Sequence, residues 1–251
     1  MSVSFDTGHA GAGPVAARGD FSNRLLGSLS DDDLRHLSGL CETVQVDVGD
    51  VLYEPGQVIR HIYFPADCLI SLLAVAEGRM TLEVGSVGCE GMIGASVALG
   101  HQLAQVRAVV QRAGLATRID SEDFCAEFIR MESLRRLLYR YTDTLLAQAI
   151  QIAVCSRFHV LEARLARSLL ITRDRLQSGK FHLTHEFLAH ALGVRRVGVT
   201  KAASALQQQK LISYSRGNIE ILDSAGLEAV SCRCYELVRD NGAIGISHVF
   251  L

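Results

Sequence analysis

The residues best equipped for chemistry lie between Lys180 and Gly217, in and around LTHEFLAHALGVRRVGVTKAASALQQQKLI (residues 183–212). Lys180, Arg195, Arg196, Lys201, Lys210 and Arg216 stand there against Glu186 alone, a local charge of +5. The whole chain has a formal net charge of −2, so the remainder carries −7. A basic patch of this kind fits a polyanion, and its plain alternative is a solvated face that happens to be basic. Arginine can pair bidentately with a guanine edge, and threonine or serine can bind phosphates. His182, His185 and His190 cluster with Glu186 in the same stretch. His182-x-x-His185 could offer two zinc ligands, but four are not evident, so a solvated or phosphate-facing role is the expectation. Cys232-x-Cys234 has no companion pair in the sequence. It is open to two readings: redox-sensing thiols made reactive by a setting that includes Arg233, or ordinary cysteines of a C-terminal helix. No metal site, catalytic residue or cofactor is expected.

The elements that position the basic residues are legible. Thr184 is an N-cap candidate, and Phe187, Leu188 and Leu192 face one side of a short helix. Gly193 takes a tight turn at positive φ, where a Cβ would be penalised. Val194 anchors the turn, and Val199, Ala202 and Leu206 give a second helix its apolar side. This is helix–turn–helix spacing. The second helix then presents Arg195, Arg196, Gly198, Thr200, Lys201 and Ser204. KLISYSRGNIEILD reads as a two-stranded wing with Arg216-Gly217-Asn218 at its tip. With Thr184, these residues and Arg216 form the expected DNA contact set.

The other segments differ in rhythm. MSVSFDTGHAGAGPVAARGD reads as a flexible Gly/Ala tail without the order of a secretory signal. In SLSDDDLRHLSGL, Ser30 caps a short helix whose first turn holds Asp31, Asp32 and Asp33, which suits the helix dipole. From Glu42 to Asp120, short alternating runs are separated by turns: Val44, Val46 and Val48 before Gly49-Asp50; Val51 and Tyr53 before Pro55-Gly56; Met80, Leu82 and Val84 after Glu77-Gly78; Val106, Ala108 and Val110 before Gly114. Such spacing predicts an antiparallel β-roll. From Met131 to Ser178 there is neither glycine nor proline. Leu134, Leu138, Tyr141, Leu145, Ile152, Cys155 and His159 form a 3–4 spaced stripe that Gln148 interrupts. A helix this long outruns a small barrel, so Leu138, Tyr141, Leu145 and Ile152 are expected at a parallel homodimer interface; an intramolecular helix contact is the alternative. A break is expected at Arg157-Phe158-His159-Val160.

The chain has 251 residues, of which 49% are hydrophobic, enough for one large or two modest domains. No apolar run is long enough to span a bilayer, so no membrane partner is expected. Seven scattered cysteines (Cys41, Cys68, Cys89, Cys125, Cys155, Cys232 and Cys234) are odd in number, which fits reduced thiols in a cytoplasm better than a disulfide framework. A roll can also host metal-dependent enzymes, but their H-x-H ligand pair is missing and the roll holds only His61 and His101, so no enzyme is expected.

The order β-roll, long helix, helix–turn–helix and wing resembles the CRP/FNR family of bacterial transcription regulators from about Phe21 to Asp240. LTHEFLAHALGVRRVGVTKAASALQQQKLI is similar to the family's DNA-binding signature, and EGMIGASVALGHQLAQVRAVV resembles its phosphate-binding cassette. The resemblance implies an α+β chain: a flexible tail (1–20), a cyclic-nucleotide-binding-like double-stranded β-helix (21–130), a dimerisation helix (131–160) and a winged helix–turn–helix (161–251). It also implies a homodimer that regulates transcription on a palindromic double-stranded DNA site, with RNA polymerase as a further partner. It places base readers at Arg196, Val197 and Lys201, where Val197 replaces a frequent glutamate, so the preferred site should differ.

The effector pocket would comprise Gly94, Ala95, Ser96, Gln102 and Leu103. Ala95 stands where the ribose-binding glutamate is expected, and Gln102 where the arginine pairs the cyclic phosphate. The purine-contacting positions align with Ala149 and Ile150. Without the arginine a buried phosphate lacks its main compensation, so cyclic AMP is not the expected effector. The iron–sulfur branch needs closely spaced N-terminal cysteines, whereas Cys41 comes first and alone. A haem ligand would have to be His61 or His101. Gating by another small ligand or by cysteine oxidation, and an architectural DNA-coating role, are the alternatives.

Overall fold

The computed structural model describes residues 13–14, 22–76, 81–237 and 239. Within the segment read as a tail, only β1 (Gly13–Pro14) is described, and it pairs antiparallel with Thr43 and Glu42 of β2 (Cys41–Val46). Phe21, Asp240, the Glu77-Gly78 turn and Met80 lie outside the described residues.

Ser30 caps α1 (Asp31–Ser38) as its side chain implies, its hydroxyl accepting from the Asp33 N–H at 3.2 Å. After β2 come β3 (Val51–Tyr53), β4 (His61–Pro65), β5 (Leu69–Val75), β6 (Thr81–Val87), β7 (Arg107–Arg112) and β8 (Gly114–Asp120). They form two antiparallel four-stranded sheets, ordered β1-β2-β8-β4 and β3-β7-β5-β6, which make the β-roll-like domain. Ile62, Phe64, Leu69, Ile70, Val87, Ala108, Val110, Ala116 and Ile119 are buried, most of them in the core between the sheets.

Asp120 caps α2 (Ser121–Arg130), whose Phe124 meets Phe64 with ring centroids 6.4 Å apart. The long helix α3 (Glu132–Phe158) follows. Its first half belongs to the roll: Leu134, Leu137, Leu138 and Tyr141 are buried in the same core. The Tyr141 hydroxyl accepts from the Met92 N–H at 3.0 Å and donates to the Met92 carbonyl at 2.9 Å. Tyr141→Phe should therefore destabilise the protein by about 1–3 kcal/mol, because buried main-chain groups lose their partner. Denaturant unfolding checks this, and an unchanged midpoint would contradict it.

The expected helix break is present. His159 and Val160 are extended between α3 and α4 (Leu161–Leu176). Then come β9 (Lys180–His182), α5 (His185–Leu192), α6 (Arg196–Gln208), β10 (Ile212–Ser215), β11 (Asn218–Ile221) and α7 (Ser224–Val230). Leu165, Leu169, Leu188, Leu192, Val199, Leu206, Ile219 and Leu227 form a second core. The wing is larger than its two-strand reading: β11 also pairs with β9, giving the order β10-β11-β9. Among the described residues no helix is long and apolar enough to cross a membrane.

Candidate nucleic-acid interface

Local chemistry explains how α5 and α6 are set. Thr184 caps α5, its hydroxyl accepting from the Phe187 N–H at 3.1 Å. Gly193 closes the helix at φ 62°, the left-handed cap that glycine adopts at least cost. Arg164 of α4, itself buried, donates to the Leu192 carbonyl and so ties the turn to α4. Val199, Ala202, Ala203 and Leu206 of α6 are buried, while Arg195, Arg196, Val197, Thr200, Lys201 and Ser204 are exposed. Counted from Arg196, the exposed positions fall at i, i+1, i+4, i+5 and i+8, a single helical face. This face carries Arg196 and Lys201, with Arg195 beside them at the N-cap, and no acid.

Two residues of the expected contact set have duties inside the domain. An added Cβ on Gly198 would lie 3.0 Å from Leu161 Cδ2, so this glycine lets α6 approach the start of α4. Thr200 donates to the Arg196 carbonyl at 3.1 Å and lies 3.1 Å from His185 Nδ1. His185 stacks on Tyr214 of β10, with ring centroids 4.2 Å apart, and thus braces both helices against the wing. Burial and then the Arg196 charge hold its pKa below the usual imidazole value.

Arg216 is at the wing tip with φ 49° and is followed by Gly217 at φ 88°, a two-residue hairpin turn between the paired Ser215 and Asn218. A Cβ on Gly217 would lie 2.4 Å from the His182 ring. His182 Nδ1 lies 3.1 Å from Asn218 Oδ1, and His190 Nδ1 lies 3.2 Å from Thr81 Oγ1 of the roll. The three histidines therefore serve separate contacts and do not converge on a metal.

In the cassette, Gly94, Ala95 and Ser96 are half-buried at the 3-10 turn Ala95–Leu99. Gln102 and Leu103 are exposed; the Gln102 carbonyl accepts from the Ile59 N–H at 2.8 Å, and Leu103 bridges to Val58. The next arginine along the chain, Arg107, is ion-paired with Glu54 at 3.1 Å. A mostly apolar cavity of about 400 Å³ lies elsewhere, between β7 of the roll and α4, β9 and α5; Val110, Leu176, Phe181 and Phe187 help line it.

The expected dimer contacts need correcting. Leu138 and Tyr141 are consumed by the roll's own core, and Leu145 packs partly against it. Ile152 lines a small cleft between α3, β6 and α4. The apolar face left uncovered on α3 consists of Tyr139, Leu146, Ile150, Val154 and Phe158, each between 41% and 73% exposed.

A cluster that sequence reasoning missed lies at the α3–α4 break. Cys232 and Cys234 do have companions: Cys155 and His159, one turn apart at the end of α3. Cys155 Sγ is 3.4 Å from Cys232 Sγ, and Cys234 Sγ is 3.4 Å from His159 Nδ1. The hydrogen bond with Cys232 holds the Cys155 thiol low against the opposing effect of burial, and Arg167, His159 and Cys234 add to this. The same hydrogen bond, followed by burial, pushes the Cys232 thiol up. Cys155-x-x-x-His159 is a recognisable two-ligand spacing on a helix, and it was the available signal.

Residues 163–230 match the Crp-like helix–turn–helix domain. No curated protein matches the chain. Among solved structures, a protein of Eubacterium rectale ATCC 33656 assigned to the CRP/FNR regulators superposes with a TM-score of 0.67 at 18% identity, over 82% of this chain and 96% of that one. A CRP/FNR-family transcriptional regulator of Thermus thermophilus gives 0.60 at 23% identity, over 76% and 98%. The c-di-GMP-responsive global regulator CLP of Xanthomonas campestris gives 0.64 at 15% identity, over 76% and 99%. At these identities the superpositions speak for the fold, and the matched domain speaks for DNA binding. The chain thus carries a Crp-like helix–turn–helix domain at residues 163–230 and shares the fold of CRP/FNR-family transcription regulators.

Proposed function

We propose that the protein is a homodimeric, sequence-specific transcription regulator that engages DNA without cyclic AMP. The observation that carries this reading is the acid-free exposed face of α6, with Arg195, Arg196, Lys201 and Ser204 side by side. Arg196 is assigned to a guanine edge, Lys201 to a base or a phosphate, and Arg216 to phosphate. Thr184 lies at the start of α5, where a helix N-terminus favours a phosphate. In this reading residues 21–130 serve as a sensor-like roll, 131–160 as the dimerisation helix and 161–251 as the DNA-binding unit, with RNA polymerase engaged once the dimer is on its site.

The uncovered apolar side chains on α3 support a second copy as their occupant, since a lone chain would leave five large apolar side chains of one helix in water. Ala95 and Gln102 support independence from cyclic AMP, because the roll then offers neither the acid nor the cation that a cyclic phosphoribose needs. A second reading, gating by another small ligand, is favoured by the apolar cavity between the roll and the DNA-binding domain.

Calorimetry with cyclic AMP should show no binding, and the purified protein should bind promoter DNA with no ligand added. Tight binding of cyclic AMP, or DNA binding that depends on it, would overturn the proposal. A genome-wide map of bound sites then separates regulation, with few sequence-specific footprints, from architectural coating, with broad coverage.

A further inference from the structure

We propose that Cys155, His159, Cys232 and Cys234 form a zinc site that clasps the C-terminal segment to the end of α3. Their four donor atoms all lie within 4.8 Å of one another. A tetrahedron with zinc–sulfur bonds of roughly 2.3 Å has edges of about 3.8 Å, so sub-ångström side-chain adjustments would close this set around a single ion. A four-iron cubane would need its ligands spread over the corners of a cluster, which this compact set does not offer. Three thiols and one imidazole are a donor set typical of structural zinc, soft enough to disfavour calcium or magnesium. A disulfide between Cys155 and Cys232 would leave His159 and Cys234 without a task.

The surroundings also fit an ion. The three cysteines are buried, with residue exposures of 0%, 7% and 1% for Cys155, Cys232 and Cys234. Gln151 Nε2 donates to Cys234 Sγ at 2.8 Å, an outer-shell contact of the kind that orients a thiolate ligand. Zn²⁺ with three thiolates and a neutral imidazole carries one net negative charge. Arg167, buried nearby with Nε and Nη1 lacking hydrogen-bond partners, lowers both Cys155 and Cys232 by its charge and would supply the counter-ion. Binding exchanges the thiol protons for the metal: Zn²⁺, three thiols and one imidazole give the complex and three protons released to solvent.

The clasp has a structural consequence. Cys155 and His159 end α3, whereas Cys232 and Cys234 follow α7 at the far end of the DNA-binding domain. An ion held by all four would pin that domain across the His159–Val160 break and transmit the position of α3 to α6.

The test uses the full chain purified under reducing conditions without chelators. Native mass spectrometry and elemental analysis should find one zinc per chain. Cobalt replacement should give the visible d–d bands and the sulfur-to-cobalt charge-transfer band of a tetrahedral thiolate site. Cys155→Ser and Cys234→Ser should each lower zinc affinity at least 10-fold in competition with a chromogenic chelator, while Cys125→Ser, outside the cluster, should leave it unchanged. Should a variant fail to fold, the wild-type chain stripped of metal and retitrated with zinc gives the same readout through loss of three reactive thiols. The proposal is overturned if the reduced wild-type chain takes up no zinc, or if the Cys155 and Cys234 variants bind it as the wild type does.

Discussion

Leu146→Asp combined with Ile150→Asp is expected to convert the protein to a monomer at micromolar concentration. Both side chains are exposed in the single chain, at 59% and 57%, so the pair should leave the fold of each protomer intact. Against a second copy the same positions would face an apolar stripe, and burying two carboxylates there should weaken the dimer at least about 100-fold, roughly 3 kcal/mol. Affinity for a two-half-site DNA should fall with it, because each protomer alone reads only one half. Leu222→Asp is the control: Leu222 is 56% exposed but follows β11 in the DNA-binding domain rather than lying on α3. Light scattering checks the outcome. A wild-type monomer, or a double variant that stays dimeric, would remove the assignment of the α3 face.

Arg196→Ala should cost about 1–3 kcal/mol at the specific site and relax preference at one base pair per half-site. Arg196 lies in the first turn of α6, exposed and free of any acidic neighbour on that face. Arg216→Ala should behave differently. At the wing tip its guanidinium can follow the DNA backbone, so its loss should weaken all sequences alike and reduce the salt slope by about 1. Affinity measured on a specific and a scrambled duplex at two salt concentrations separates the two effects.

What the sequence revealed follows how local each feature is. The helix–turn–helix was readable because Thr184, Gly193 and the spacing of Val199, Ala202 and Leu206 act within a few residues of one another. The break at His159 was likewise visible, since a new apolar period begins at Leu161. Strands β4 and β5 were not singled out: IYFP and LISLLAV are buried on nearly consecutive residues and show no alternation to count. The residues expected at a dimer interface include two that the roll's own core buries, because α3 is apolar on two sides. One side is taken by the roll through Leu138 and Tyr141, and only packing shows that Leu146 and Ile150 are left over. The third wing strand and the joining of the two thiol pairs depend on contacts between residues distant in sequence, β9 with β11 and Cys155 with Cys232; only the Cys155-x-x-x-His159 half of the cluster has a local spacing.

The central claim is that α6 reads base sequence while the wing holds the backbone. It is tested most directly by competition binding of the wild type, Arg196→Ala and Arg216→Ala against every single-base variant of the preferred site. For the wild type the account predicts sequence preference concentrated in two inverted half-sites about 10–10.5 base pairs apart, or a multiple of that spacing. Arg196→Ala should flatten that preference at one position in each half, and Arg216→Ala should preserve the pattern at lower affinity. If both variants lose affinity equally for specific and random DNA, base reading by the second helix is contradicted.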